Sequence, residues 1–282
     1  MLRPRVPNYL TTERGETIGP VTSPGPPEPC DELRRRSGSR PYHPSRGATI
    51  STFVLIHGAG SEAWYWHLLV PELRSRGHDA VVPDLPSEDD AAGFPEYADT
   101  VVEAVGDKTD LVVVAQSLGG FTAPLVCERV PVRLVVLLAA MVPAPREPPG
   151  EWWANTGFEE ARRAQAEREG RGVGDEGDVR TEFFHDVPPD VVAQAFERGE
   201  RGQSATPFDR PYPFERWPDV PTRFLLCRDD RFFPAEFMRR VVRERLGITP
   251  DEMDGGHLPA LARPKELAER LVAFAADVEP PR

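Results

Sequence analysis

The chain predicts an α/β fold: an open, mostly parallel sheet with helices on both faces and a helical segment inserted before the last two core strands. Two observations carry this. Residues 52–56, 111–115 and 222–227 are strand patterns built on unbroken apolar runs (53–56, 111–115 and 224–227), largely of valine, leucine, isoleucine and phenylalanine. A strand with one face in water alternates apolar and polar residues, so runs without alternation mark strands covered on both sides. Between and after them lie segments of helical period, at residues 121–129, 159–169 and 189–198.

Taken in order, residues 1–47 are crowded with proline (Pro20, Pro24, Pro26, Pro27, Pro29) and basic residues (Arg34, Arg35, Arg36) and have no apolar period. They are expected to be a disordered extension. No apolar segment is long enough for a signal peptide or a membrane span, which predicts a cytoplasmic protein. The first strand then runs directly into His57-Gly58-Ala59-Gly60. A glycine-rich loop at a strand end exposes backbone N–H groups. A dinucleotide fingerprint is disfavoured because Ala63 stands where a third glycine is required.

The second run enters Gln116-Ser117-Leu118-Gly119-Gly120, so Ser117 lies at a strand-to-helix turn with small residues, Ala115 and Gly119, two positions either side. A sharp turn of this kind pushes a serine hydroxyl out of the sheet, and its crowding demands small neighbours. An ordinary turn serine has the same pattern, and the partners decide between the two. A serine hydroxyl is a poor nucleophile until a base takes its proton, and the base needs a third group to hold its tautomer. Downstream, the third run ends in Asp229-Asp230, and Gly255-Gly256 precede His257. Serine, acid and histidine thus follow in order, each near a strand end, where an open parallel sheet binds its ligands. The amides of Ala59 and of Leu118, the residue after the serine, are the expected donors to a developing oxyanion.

With these segments, Trp64-Tyr65-Trp66 and the stretch from Gly77-His78 to Asp84-Leu85-Pro86, the chain resembles the α/β-hydrolase superfamily over roughly residues 50–280. Within it the likeness is greatest to the plant methylesterase and hydroxynitrile lyase branch and its bacterial relatives. The resemblance implies Ser117 as nucleophile, His257 as base and Asp230 as orienting acid. Asp230 is preferred to Asp229 because it stands four residues before Pro234, although Cys227 replaces the usual glycine three residues earlier. It also implies a core of residues 48–143 and 218–282 with a helical cap at 144–217. Lyases of this branch have threonine after the first histidine and lysine after the triad histidine; this chain has Gly58 and Leu258. A carboxylesterase for a small apolar or aromatic ester is therefore the expected activity. Lactone, amide or C–C bond hydrolysis, a hydroxynitrile lyase disfavoured by those two residues, and a non-catalytic ligand receptor on the same fold are the alternatives.

Composition limits the partners. At 282 residues with 39% hydrophobic content, the chain is long enough for one full core. A net charge of -12 argues against nucleic acid or an anionic membrane surface as partner. No CxxC or HExxH motif occurs, so neither a metal nor a cofactor is expected, and Cys30, Cys127 and Cys227 are expected to be free thiols. The segment 144–217 is rich in aromatic residues. Most should pack it onto the core, while Trp152 or Trp153 is expected to line the substrate pocket. His57 is expected to brace the glycine loop, His67, His78 and His185 to be locally bonded, and Glu62 and Glu88-Asp89-Asp90 to be solvated loop charges.

Overall fold

The computed structural model describes residues 50–171, 179–199 and 201–279; the expected N-terminal extension falls outside them. In chain order they form β1 (Thr52–Ile56), α1 (Leu69–Ser75), β2 (Asp79–Val81), α2 (Phe94–Val105), β3 (Leu111–Gln116), α3 (Gly119–Cys127) and β4 (Val132–Leu138). An inserted segment follows, with α4 (Trp152–Thr156), α5 (Phe158–Arg168), α6 (Val179–Phe183), α7 (Pro189–Glu197) and α8 (Thr206–Asp209). The chain then returns to the sheet with β5 (Thr222–Cys227), α9 (Ala235–Leu246), β6 (Asp251–Met253), α10 (Pro259–Ala262) and α11 (Pro264–Ala276).

The sheet has the order β2-β1-β3-β4-β5-β6, and every neighbouring pair is parallel. Its two faces explain the unbroken runs. Val54, Ile56, Val113, Ala115, Val135 and Leu137 belong to one core cluster; Phe53, Leu55, Val112, Val114, Leu134 and Val136 belong to the other. Side chains of successive strand residues alternate between faces, and here both faces are covered. Helices α2, α3 and α9 cover the first face, through residues such as Tyr97, Phe121 and Phe237. Helices α1 and α11 cover the second, through Leu69, Leu73, Leu267 and Leu271. Each such leucine contributes about 1.5–3 kcal/mol by leaving water.

The strand order fixes where a site can form. From β1 the chain steps to β2 at one edge, then crosses to β3 on the other side of β1 and continues outward. The carboxyl ends of β1 and β3 therefore flank a switch point, where loops diverge and leave a crevice. His57 follows β1 and Ser117 follows β3.

Candidate active site

Ser117 has φ 52°, in the left-handed region that a side chain disfavours. The conformation is held from both sides: Ser117 N–H donates to Leu138 O at 3.3 Å, and Ser117 O accepts from Gly120 N–H at 3.1 Å and Met141 N–H at 2.9 Å. Crowding around the turn extends beyond the two neighbours read from the sequence. A Cβ at Gly120 would lie 1.9 Å from Met141 O, closer than anything at Gly119, where the nearest atom would be His57 O at 3.0 Å. The second glycine of the pair is thus the stricter requirement, and the Gly119-Gly120 doublet was its signal. Across the crevice, a Cβ at Gly58 would meet Gln116 Oε1 at 2.6 Å and Ser117 Cβ at 2.7 Å.

Asp230 and His257 meet at the ends of β5 and β6. His257 Nδ1 lies 2.8 Å from Asp230 Oδ2, and both side chains are buried. Asp230 Oδ1 accepts from the amides of Phe232 and Phe233 at 2.8 and 2.9 Å. A carboxylate that accepts at both oxygens leaves His257 Nδ1 as the donor, so Nε2 keeps its lone pair. The aromatic rings of Phe183, Phe232 and Phe233 stand edge-on to the imidazole at 5.2–5.3 Å. Asp229 is exposed and faces the other way, its Oδ2 accepting from Gly255 N–H at 2.9 Å. Gln116, next to the serine, donates through Nε2 to His257 O at 3.2 Å and so ties the two turns together.

His57 is buried and fully bonded. Leu85 N–H donates to its Nε2 at 3.1 Å, so the proton sits on Nδ1, which reaches Gly58 O at 2.9 Å. Burial holds its pKa below the usual imidazole range. It braces the loop and has no free nitrogen for catalysis. At that loop and at the serine turn, the amides of Ala59 and Leu118 donate to no protein acceptor among the described residues.

Ser117 and His257 line one cavity of about 390 Å³, together with Ala59, Trp64, Tyr65, Gln116, Phe232 and Leu261 from the core. The inserted segment closes it with Phe183, Phe184, Phe196, Arg198 and Arg201. Trp152 and Trp153 do not line it. They pack with Phe158, Phe232, Phe233 and Phe237 behind the site, and Trp152 Nε1 donates to Val142 O at 2.9 Å. The expectation for them is corrected: large rings at the base of the insertion are what seat it on the core. Glu62 is also more than a solvated charge. It lines the cavity mouth and pairs with Arg198 and, at 3.4 Å, with Arg201. Glu88 accepts from Gly202 N–H at 2.8 Å and Asp90 from Ser204 Oγ at 2.8 Å, so this acidic run anchors the insertion.

Among the described residues, no cluster of three metal-ligating side chains occurs and no helix is long and apolar enough to cross a membrane. Cys127 and Cys227 are free; burial pushes the Cys127 thiol up to about 12 and that of Cys227 well above its usual range.

The family model described as "Alpha/beta hydrolase family" matches residues 53–270. The chain belongs to the alpha/beta hydrolase family. Among similar family members, norfluorocurarine synthase 1 from Strychnos sp is 24% identical over 275 residues, covering 83% of this chain and 98% of the relative. Methylesterase 7 from Arabidopsis thaliana is 25% identical over 260 residues, covering 79% and 95%. The crystal structure of polyneuridine aldehyde esterase superposes with a TM-score of 0.65 at 21% identity, over 80% of this chain and all of that one. For this alpha/beta hydrolase the superposition concerns the fold. The site described above rests on its own geometry.

Proposed function

We propose that this alpha/beta hydrolase is a serine carboxylesterase for a small ester with an apolar or aromatic portion. The observation that carries the reading is the His257–Asp230 pair opening onto the same cavity as a serine in a left-handed backbone conformation. His257 Nε2 takes the Ser117 hydroxyl proton as the oxygen attacks the ester carbonyl. The carbonyl oxygen becomes an oxyanion and receives the Ala59 and Leu118 amides. Protonated His257 then gives its proton to the leaving alcohol. Water, deprotonated by the same nitrogen, releases the acid from the acyl-enzyme. Asp230 stabilises the imidazolium in both halves, and Asp230 Oδ1 stays fixed by two amides throughout.

Relatives named methylesterase 7 and probable esterase PIR7A, the latter from rice and 27% identical, support the ester reading. So does the crowding at Gly58. The threonine that resemblance assigns to lyases at this position would need a Cβ 2.7 Å from that of Ser117, and Leu258 supplies no charge beside His257. The aromatic lining from Trp64, Phe183, Phe184 and Phe196 supports an apolar acyl or alcohol group. The test is a panel of aryl and methyl esters of graded acyl length, with lactones and amides beside them, run on the wild type and on Ser117→Ala. The proposal expects the aryl esters to be cleaved fastest and the variant to lose about 10^4-fold in kcat. Equal rates for both proteins would refute it.

A further inference from the structure

Two consecutive residues of the inserted segment sit on the two loops that carry Asp230 and His257. His185 Nε2 donates to the carbonyl of Asp229 at 2.9 Å, one residue before the acid. Asp186 Oδ2 accepts from the amide of Gly256 at 2.8 Å, one residue before the base. The fit leaves no spare room. A Cβ at Gly256 would come within 2.5 Å of His185 Cε1 and 2.8 Å of Asp186 Oδ1. The flanking residues anchor the pair: Phe184 lines the cavity, and Val187 is buried in the core cluster under α1 and α11.

From this we infer that Asp186 is a positioning residue for His257. It acts through the peptide between Gly255 and Gly256, whose N–H it holds with a charge-assisted bond, and so fixes where the next residue places its imidazole. The sheet-end contacts do not do this alone. They bind Asp229 to Gly255, through Gly255 N–H to Asp229 Oδ2 at 2.9 Å and, on the carbonyl side of this same peptide, Asp229 N–H to Gly255 O at 3.0 Å, and leave its N–H side to Asp186. Asp186 belongs to the segment that closes the cavity. Seating that segment and aligning the base are therefore one event, which links cavity closure to catalysis. The inference rests on the proposed role of His257 as base.

Three full-length variants test it. Asp186→Asn keeps an oxygen that accepts from Gly256; Asp186→Ala and the nearly isosteric Asp186→Leu do not. Steady-state hydrolysis of p-nitrophenyl acetate gives kcat and KM, thermal melting reports folding, and the low-field proton resonance of the His257 Nδ1–H, identified by its loss in His257→Ala, reports the Asp230 bond without catalysis. A misplacement approaching 1 Å costs up to about 100-fold, so Asp186→Ala and Asp186→Leu are expected to lose on the order of 10-fold in kcat with KM within about twofold. The low-field resonance should broaden in both. Asp186→Asn should keep kcat within about threefold and retain the resonance. Folded Ala or Leu variants with wild-type kcat and resonance would overturn the inference, as would an Asn variant that falls as far as they do. A wild type whose hydrolysis is unaffected by Ser117→Ala would instead overturn the proposed function, and the resonance alone would then decide the role of Asp186.

Discussion

His257 Nδ1 and Asp230 Oδ2 lie 2.8 Å apart, while the other oxygen of Asp230 is occupied by the amides of Phe232 and Phe233. The two amides fix which oxygen faces the imidazole, and that determines what an amide in place of the acid would do.

In Asp230→Asn, the side-chain oxygen stays with the two amides and the NH2 group turns to His257. Nδ1 must then accept, and the proton moves to Nε2, where it blocks transfer from Ser117. A loss of roughly 10^4-fold in kcat is expected, with little change in melting temperature. Steady-state kinetics beside a melting curve check this; a variant within tenfold of wild type would mean that His257 is not oriented by Asp230.

His57 makes stability depend on pH in a defined direction. Its neutral form accepts from Leu85 N–H, and burial lowers its folded-state pKa below the usual value of 6.5. The unfolded chain binds the proton more readily, so this contribution is complete above about pH 6.5 and is lost as pH falls below it. Melting temperature followed from pH 7.5 to 5 should drop for the wild type more steeply than for His57→Gln. Parallel curves would assign the acid sensitivity elsewhere.

Trp152 and Phe196 should separate packing from recognition. Trp152 is fully buried behind the site, so Trp152→Ala should cost about 3–5 kcal/mol of stability while leaving KM nearly unchanged. Phe196 is only partly buried and lines the cavity, so Phe196→Ala should change the preferred acyl length with a smaller loss of stability. Denaturant titration and the ester panel distinguish them; a shifted ester preference in the Trp152 variant would contradict its placement.

Glu62 ties the inserted segment to the cavity mouth. The Arg198 guanidinium holds its carboxyl below the usual carboxylate range, so the pair stays charged through mildly acidic conditions. Glu62→Gln should speed amide hydrogen exchange over residues 201–206 and raise KM. The difference from wild type should shrink at about 1 M salt, where the screening length falls to roughly 3 Å. Identical exchange in the two proteins at low salt would show that Glu88 and Asp90 hold the segment unaided.

Much of the sheet was legible because both-sided burial writes itself as unbroken apolar runs: β1 and β3 stand where those runs predicted, and β5 is built on the run 224–227 behind Thr222 and Arg223, which are only partly buried. Helices α5 and α7 lie within a residue or so of the predicted 159–169 and 189–198. The serine, the acid and the histidine could be picked out because each follows such a run or a glycine pair. Tertiary partners were not legible. Trp152 and Phe196 are both aromatic residues of the insertion, and nothing local distinguishes the ring behind the site from the ring that faces it. Glu62, Glu88 and Asp90 read as loop charges because their partners, Arg198, Arg201, Gly202 and Ser204, are more than 100 residues away. The contact of Asp186 with Gly256 spans 70 residues, and its sequence trace, a second glycine before His257, also fits an ordinary turn.

A fluorophosphonate probe tests Ser117 as the activated nucleophile directly, without assuming a substrate. After incubation and digestion, mass spectrometry should find a single adduct on the peptide containing Ser117, absent in Ser117→Ala and strongly slowed in His257→Ala. No adduct on the folded wild type, or equal labelling of Ser117→Ala, would rule out Ser117 as the activated nucleophile.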